Sequence, residues 1–137
     1  MIYLDDLLAA TEGRRVGPSA PARFPAFCYN SRRLRPGELF VAVKTEGGDG
    51  HDYVADAVQG GAGGVLCQSP PTNPTVPCVV VPDTQLALFN WAAYALRKYD
   101  PQVVGVTGST GKTDACQAIA AVLSTRHTVF RNPPGLS

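Results

Sequence analysis

Six consecutive residues near the end of the sequence have the composition of a phosphate-binding loop. They read Gly108-Ser109-Thr110-Gly111-Lys112-Thr113, follow a β-rich apolar run and precede a helical pattern. Glycines let the backbone approach phosphate groups, and the free N–H groups at the start of a helix bind anions. In such a loop Lys112 neutralises the charge of the β- and γ-phosphates, and the Thr113 hydroxyl binds Mg²⁺.

The spacing of this loop departs from the general pattern G-x-x-x-x-G-K-[ST]. That pattern requires glycine at position 106, where the sequence has Val106, so only the shorter G-x-x-G-K-T is present. The alternative is a glycine-rich turn between a strand and a helix, with an exposed lysine. The order of strand, turn and helix favours phosphate binding.

The composition predicts a folded α/β domain without a basic nucleic-acid-binding face. The net charge of the 137 residues is +1, whereas neutralising phosphates requires clustered Lys and Arg. No apolar run approaches the length of a membrane span, and the first six residues contain two acids where a signal peptide is apolar. We therefore expect a cytoplasmic protein that has no membrane span and binds no nucleic acid.

The cysteines give no sign of a zinc site or a disulfide framework. Cys28, Cys67, Cys78 and Cys116 include no C-x-x-C pair, and both histidines lie far from any such pair. We expect mostly buried free thiols that behave as small apolar residues.

The alternation of strand and helix patterns predicts α/β layers with a largely parallel sheet. Strands are predicted over 27–29, 39–43, 65–67, 78–81, 103–107 and 128–130, and helices over 4–10, 52–59, 84–97 and 112–123. The segments 17–26, 44–51 and 68–77 are rich in proline or glycine and are predicted loops. On the third helix, one face carries four apolar residues and is expected to be buried: Leu86, Phe89, Ala93 and Leu96.

The predicted helix ends rest on capping residues and glycines. Gly13 is expected to end the first helix, and Asp52 to cap the second, which stops at Gly60-Gly61. Asp83 or Thr84 caps the third. A domain boundary is expected near Pro101, and the short second unit suggests a fragment of a longer protein.

Four motifs in one order make the chain resemble the Mur ligase family, the ATP-dependent amide ligases that build the peptidoglycan stem peptide. The shortened phosphate loop is itself a trait of that family. The motifs are 30–42, similar to D-S-R-x-[VL]-x-P-G-[DE]-L-F-V-A; 49–53, similar to D-G-H-[DE]-[FY]; 81–84, similar to V-x-D-T; and 106–113, similar to T-G-[ST]-[NT]-G-K-T.

The resemblance implies a three-domain enzyme of which this chain holds the beginning. Residues 1–99 would form a mixed α/β domain that binds the uridine-diphosphate end of a UDP-MurNAc-peptide. Residues 100–137 would open a parallel-sheet ATPase domain with its strand, phosphate loop and helix. The residues for a second metal and for the incoming amine would lie beyond Ser137, so the fragment alone is expected to be inactive.

The resemblance also implies the binding residues. The uridine nucleotide would contact Tyr29, Ser31, Arg32 and a closing loop of Glu46, Gly47 and Gly48. ATP would contact Gly108, Ser109, Thr110, Gly111, Lys112, Thr113 and Asp114, with Lys112 and Thr113 catalytic and Thr113 holding Mg²⁺. The incoming substrate would be D-Ala-D-Ala or, in a second subfamily, meso-diaminopimelate or Lys; the segments that flank the phosphate loop favour D-Ala-D-Ala.

Two departures from the family pattern keep a second hypothesis open. Asn30 stands where the family usually has Asp, and Asp114 stands where it usually has a second Thr. A paralogue that binds the nucleotide sugar without ligating would tolerate both. An unrelated phosphate-loop kinase or GTPase explains neither Val106 nor the upstream motifs. We expect His51 to fix a loop rather than to act in catalysis. Arg32 and Arg33 are expected either to stabilise the turn at Ser31 or to bind a diphosphate.

Overall fold

The computed structural model describes residues 1–133, which form two units, Met1–Asp100 and a second unit that begins at Pro101. The first unit holds all nine strands of the described residues: β1 (Ile2–Tyr3), β2 (Arg14–Val16), β3 (Arg23–Phe24), β4 (Phe27–Cys28), β5 (Leu39–Val41), β6 (Lys44–Thr45), β7 (Gly48–Asp49), β8 (Gly64–Cys67) and β9 (Cys78–Val80). The helices are α1 (Leu4–Thr11), α2 (Val54–Gln59), α3 (Thr84–Tyr99) and α4 (Lys112–Leu123), and a 3₁₀ helix spans Gly50–Tyr53.

A five-stranded sheet in the order β2-β9-β8-β5-β4 forms the centre of the first unit. Its last four strands are parallel, with Phe27 opposite Leu39, and Phe40 opposite Val65. Only β2 runs antiparallel, beside β9. The carboxyl ends of four strands therefore lie at one edge. Two antiparallel pairs, β1 with β3 and β6 with β7, lie outside this sheet.

Helices cover both faces of the sheet, which gives three layers and confirms the α/β prediction. On one face, α1 and α3 pack over side chains such as Leu39, Leu66 and Val79. On the other face, α2 packs over the alternate side chains, including Phe40 and Val65. The strands are apolar on both sides because both sides are covered.

The packing of α3 corrects the prediction of its buried face. Leu86, Phe89 and Leu96 are 56%, 72% and 52% exposed, whereas Thr84 and Ala87 are buried. The helix is apolar on two sides, so periodicity alone did not identify the side that packs. Contacts with α1 and the sheet select the side that carries the following residues: Thr84, Ala87, Leu88, Trp91, Tyr94 and Lys98.

An ion pair and an aromatic cluster connect α3 to α1 and β4. The carboxylate of Asp6 accepts hydrogen bonds from Lys98 Nζ at 2.6 Å and from the Tyr94 hydroxyl at 3.0 Å. The Trp91 ring stacks on Tyr94 at 5.8 Å and meets Phe27 edge-on at 6.1 Å. The prediction that Trp91 and Tyr94 serve packing is confirmed.

The predicted ends of the first two helices need correction. Glu12, rather than Gly13, takes the left-handed conformation that ends α1. A side chain at Gly13 would lie 2.7 Å from Val79 Cγ1, so close packing requires this glycine. Asp52 does not cap α2, which begins at Val54 after the 3₁₀ helix, whose cap is Asp49.

The loop prediction over 44–51 missed local structure, because β6 and β7 form a hairpin there and the 3₁₀ helix follows. Strands β1, β2 and β3 were not predicted either. They are two or three residues long and carry no period of their own. The strands predicted over 27–29, 39–43, 65–67 and 78–81 are confirmed with shifted ends.

The cysteines are free thiols in two environments. Cys67 and Cys78 are buried on neighbouring strands, whereas Cys28 and Cys116 are only half-buried, so the prediction of burial holds for two of the four. A hydrogen bond with Cys78, together with burial, holds the pKa of the Cys67 thiol far above its usual range.

The second unit contains α4 at its predicted bounds but neither predicted strand. Within the described residues no strand forms over 103–107 or 128–130. Val103 and Val104 are 75% and 59% exposed. A strand needs a neighbour for its N–H and C=O groups, and no strand of the described residues pairs with this segment. No helix among residues 1–133 is long and apolar enough to cross a membrane.

Candidate functional site

The carboxyl edge of the parallel sheet collects the residues predicted to bind the uridine nucleotide. Residues 29–33 follow β4, and the hairpin of β6 and β7 follows β5, the neighbouring strand. Gln68 follows β8, and residues 81–84 connect β9 to α3. In open α/β sheets, ligands bind in the crevice outside the carboxyl ends of the strands. The topology therefore brings the two predicted nucleotide-binding segments to the same side of the sheet.

The turn after β4 is held by Asn30 at the position where the family pattern has Asp. Its Oδ1 accepts a hydrogen bond from the N–H of Arg32 at 3.0 Å, and its carbonyl accepts one from the N–H of Arg33 at 3.0 Å. The Sγ of Cys28 also donates to this carbonyl, at 3.2 Å. An amide oxygen supplies the acceptor that a carboxylate would supply, so the turn forms without the charge.

The side chains presented by this turn are available to a ligand. Tyr29 is 78% exposed and Ser31 is half-buried. Within residues 1–133 the guanidinium groups of Arg32 and Arg33 make no hydrogen bond or ion pair, and both side chains are exposed. Their backbone N–H groups support the turn, whereas their charged ends do not brace it.

The hairpin tip carries Glu46, Gly47 and Gly48, which are all exposed. Below the tip, the Thr45 hydroxyl donates to the carbonyl of Gly48 at 3.3 Å. Gly50 then passes close to the end of β5, where a side chain would lie 2.7 Å from the nitrogen of Val43. The base of the hairpin is therefore packed against the sheet, and the tip projects from it.

His51 occupies the junction between the hairpin and the sheet. Its Nδ1 lies 2.6 Å from Asp49 Oδ1, and its Nε2 accepts a hydrogen bond from the N–H of Gln68 at 2.9 Å. The backbone N–H of His51 and then its ring hold the pKa of the Asp49 carboxyl below its ordinary value of 3.8. Because both ring nitrogens are engaged within the protein, the geometry supports fixing a loop.

The start of α3 adds further connections at the same edge. Asp83 Oδ1 accepts hydrogen bonds from the N–H groups of Gln85 at 2.8 Å and Leu86 at 3.0 Å, so Asp83 is the cap. The buried hydroxyl of Thr84 donates instead to the carbonyl of Ala42, at the end of β5, at 2.9 Å. Of the two residues that the sequence offered as the cap, Asp83 caps α3 and Thr84 connects α3 to the end of β5.

A cavity of about 430 Å³ lies between α2 and the proline-rich loop. It contains none of the residues predicted to bind uridine nucleotide or ATP, although His51 forms part of its wall. The predicted nucleotide site is an open strand edge, so we place no ligand in this cavity. Its lining comprises His51, Val54, Ala55, Val58, Gln59, Ser69, Pro70, Pro71, Asn73, Pro74, Thr75 and Val76.

The phosphate loop of the second unit ends at an uncapped helix. Gly111 stands at the N-cap of α4 with φ of 77°, and no side chain accepts a hydrogen bond from the first turn. Apart from Gly111 and its two chain neighbours, no atom of the described residues lies within 4 Å of where a side chain at Gly111 would begin, so no other segment crowds this position. These features fit a bound phosphate group, because the free N–H groups and the helix dipole favour an anion.

The side chains of the loop lie at the same helix start. Lys112 is half-buried, and Thr113 and Asp114 are exposed in the first turn of α4. An exposed threonine hydroxyl beside a phosphate loop suits a hard cation such as Mg²⁺, which keeps several water ligands. The position of Asp114 is that of an ordinary first-turn acid.

Sequence reasoning missed the contribution of Asp49, Gln68 and Thr84. Asp49 and Thr84 belong to motifs that were recognised, but no spacing rule reveals which backbone groups they contact. Gln68 opens a proline-rich loop and carries no motif. The one sequence feature that points to Gln68 is its position directly after a predicted strand, because ligands of open α/β sheets bind outside the carboxyl ends of strands.

Several curated proteins are similar to this chain, although no family model matches it. The UDP-N-acetylmuramoyl-tripeptide–D-alanyl-D-alanine ligase of Escherichia coli is 43% identical over 72% of this chain and 22% of its own length. The corresponding ligase of Treponema pallidum is 32% identical over 100% of this chain and 32% of its own. The UDP-N-acetylmuramoyl-L-alanyl-D-glutamate–2,6-diaminopimelate ligase of Chlorobaculum tepidum is 36% identical over 88% of this chain and 25% of its own length.

Solved structures agree with these relatives. The D-alanyl-D-alanyl ligase of Acinetobacter baumannii superposes with a TM-score of 0.77 at 29% identity, over 91% of this chain and 28% of its own. The MurF ligase of Thermotoga maritima in complex with ADP superposes with a TM-score of 0.65 at 32% identity, over 82% of this chain and 26% of its own. The chain thus spans between 22% and 32% of the lengths of these proteins.

Proposed function

Because this chain belongs to the Mur ligase family, we propose that it is the nucleotide-binding part of a cytoplasmic enzyme that extends the peptidoglycan stem peptide. Its first domain, residues 1–99, binds the uridine-diphosphate end of a UDP-MurNAc-peptide, and residues 100–137 begin the ATP-binding domain. The observation that supports this proposal is the position of the two predicted uridine-binding segments, which follow the carboxyl ends of the neighbouring strands β4 and β5.

The chemistry of the sheet edge suits a uridine diphosphate. Ser31 offers a hydroxyl that both donates and accepts hydrogen bonds, and Tyr29 offers an exposed ring. The unpaired guanidinium of Arg32 suits a diphosphate, since arginine binds phosphate oxygens through two parallel hydrogen bonds. Glu46, Gly47 and Gly48 form a tip that closes over the nucleotide.

In the second unit, residues 108–114 bind ATP. The N–H groups at the start of α4 hold phosphate oxygens, and the Lys112 ammonium stabilises negative charge as it develops. Thr113 would hold Mg²⁺, and the bound ion would offset the charge of the phosphates. Asp114 is placed by the helix start, where a carboxylate is favourable, and it must point away from the nucleotide.

The proposed reaction proceeds in two displacements. A carboxylate oxygen of the UDP-MurNAc-peptide attacks the γ-phosphorus of ATP, ADP leaves, and an acyl phosphate forms. The amine of the incoming substrate then attacks the acyl carbon, phosphate leaves, and an amide bond results. We propose D-Ala-D-Ala as that substrate; the alternative is meso-diaminopimelate or Lys, and both classes occur among the relatives.

A titration of this chain with UDP-MurNAc-tripeptide tests the uridine site. We expect saturable binding, and Ser31→Ala should weaken it by roughly 1–2 kcal/mol, the usual cost of a lost polar partner. Ser19→Ala, in the exposed segment between β2 and β3, is the control and should bind as the native chain does. Absence of binding at millimolar ligand, in a sample shown to be folded, would contradict the assignment.

A non-ligating paralogue is the second hypothesis, and it rests on Asn30 and Asp114, which depart from the family pattern. One of its two motivations is weakened, because Asn30 keeps the turn that an Asp would form. Amide formation by the longer protein, measured as phosphate release that depends on the incoming amine, separates the two functions.

A further inference from the structure

We propose that His51 is a positioning residue for the uridine-nucleotide site, because it fixes the hairpin of β6 and β7 in the conformation that receives the ligand. The inference rests on the proposed function and adds a residue to it. His51 itself lies 17% exposed at the base of the hairpin, and the exposed tip lies beyond it. It therefore acts on the ligand through the hairpin.

The two hydrogen bonds of the ring define one protonation state. Nε2 accepts from the N–H of Gln68 at 2.9 Å, so it must carry a lone pair. Nδ1 lies 2.6 Å from Asp49 Oδ1 and donates its proton to that carboxylate. Neutral histidine satisfies both contacts, whereas a phenylalanine ring of similar size satisfies neither. The ring thus joins the last residue of the hairpin to the end of β8.

Two further hydrogen bonds at the same edge of the sheet connect Gln68 to the segment before α3, and α3 to the start of the hairpin. Gln68 Nε2 donates to the carbonyl of Pro82 at 2.8 Å, which connects β8 to the segment before α3. Gln85 Nε2, in the first turn of α3, donates to the carbonyl of Lys44 at 3.3 Å. The hairpin is thereby held at both of its ends, at Lys44 and at Asp49.

This arrangement matters for binding because the tip has little support of its own. Within the described residues, the side-chain contact inside the hairpin is the hydrogen bond from Thr45 to Gly48. A loop that must be ordered during binding lowers affinity by the entropy of ordering, and a loop held in advance does not. Loss of the ring contacts should therefore weaken ligand binding by about tenfold.

The test compares variants of the full 137-residue chain. UDP-MurNAc-tripeptide affinity is measured by calorimetry, and amide hydrogen exchange is measured over residues 44–50 without ligand. His51→Phe should bind about tenfold more weakly and exchange faster in the hairpin. His51→Gln should recover at least half of the loss on a logarithmic scale, because its side-chain oxygen can accept the N–H of Gln68. This recovery is a readout that a general packing role would not produce.

Lys98→Met is the matched control. It breaks the ion pair with Asp6 near the other end of α3, about 20 Å along the helix from Thr84. The substitution should lower the melting temperature without changing ligand affinity or exchange in the hairpin. A control that loses affinity together with stability would show a general effect of destabilisation and overturn the proposal.

The remaining outcomes separate this inference from the proposed function. His51→Phe affinity within twofold of the native value, with unchanged exchange, would overturn the role of His51 and leave the uridine site intact. A native chain that does not bind the ligand would contradict the proposed function. Hydrogen exchange would then still decide whether His51 fixes the hairpin. If His51→Phe does not fold, His51→Gln must still show weaker binding than the native chain at equal secondary-structure content.

Discussion

Single hydrogen-bond acceptors explain how this chain tolerates a departure from its family pattern. Asn30 replaces the usual Asp but still accepts the N–H of Arg32 at 3.0 Å, so the turn that presents Ser31 is retained. The change removes one negative charge beside the site of a proposed diphosphate. At this position the geometry of the acceptor decides the local structure, and the charge does not.

Lys112 is expected to serve catalysis and not stability. It lies at an open helix start, and its side chain makes no ion pair within residues 1–133. In a chain of the relatives' full length, Lys112→Ala should reduce ligation at least about a hundredfold, a loss of roughly 2.7 kcal/mol of transition-state stabilisation. Phosphate release measures the rate and thermal melting the stability.

Gln117→Ala, at an exposed position of the same helix, is the control for Lys112→Ala and should keep the native rate. The catalytic assignment fails if Lys112→Ala retains the native rate. It also fails if the rate falls only in proportion to a lowered melting temperature.

The elements of the first unit acquire their orientation from a few buried contacts. In α3, the apolar stripe of Leu86, Phe89 and Leu96 faces outward, because the opposite side meets the sheet and α1. The start of the helix is fixed twice, by the cap at Asp83 and by the hydroxyl of Thr84 on the carbonyl of Ala42. The second contact connects the helix to the sheet.

Thr84→Val tests that second contact with a side chain of nearly the same shape. The hydroxyl is lost and the buried carbonyl of Ala42 loses its partner, so we expect the free energy of unfolding to fall by roughly 1–3 kcal/mol. Thr84→Ser keeps the hydroxyl and should lose less. Urea denaturation monitored by circular dichroism gives both values. Equal stabilities of Thr84→Val and the native chain would show that this hydrogen bond contributes nothing.

At the scale of the whole molecule, two carboxyl groups make the stability of the first unit depend on pH. Hydrogen bonding to Lys98 is the main cause that lowers the pKa of Asp6, and hydrogen bonds from His51 lower the pKa of Asp49. Each native carboxyl therefore binds protons less readily than the unfolded one, whose pKa is near 3.8. Their contributions are present above that value and disappear as the pH falls through the lower native pKa.

We therefore expect the melting temperature to fall below about pH 4, and Asp6→Asn to show a shallower fall than the native chain. Asp5→Asn, at the exposed neighbour in the first turn of α1, which makes no ion pair within the described residues, is the control variant. At the alkaline end, Asp6 raises the pKa of Lys98, so this contribution is lost as the pH rises above 10.5. Identical acid profiles for Asp6→Asn and the native chain would refute the role of the Asp6 pair.

The sequence by itself determined the fold class, the central strands and the bounds of α4, whereas the phosphate loop over 108–113 stays a prediction. Apolar runs such as Leu39–Val41 and glycine-rich turns are local signals, and the order of four motifs along the chain indicates the family. The bounds of α4 were also predicted correctly, because its glycine start and its run of helix-forming residues are local.

Only the tertiary structure decided which face of α3 is buried, whether residues 103–107 form a strand, and what His51 and Thr84 contact. A helix with two apolar sides packs on the side that its neighbours cover, and a strand forms only beside another strand. The partners of His51 and Thr84 lie 17 and 42 positions away along the chain. Such contacts depend on how the sheet brings strand ends together, and the spacing of residues along the chain does not encode this.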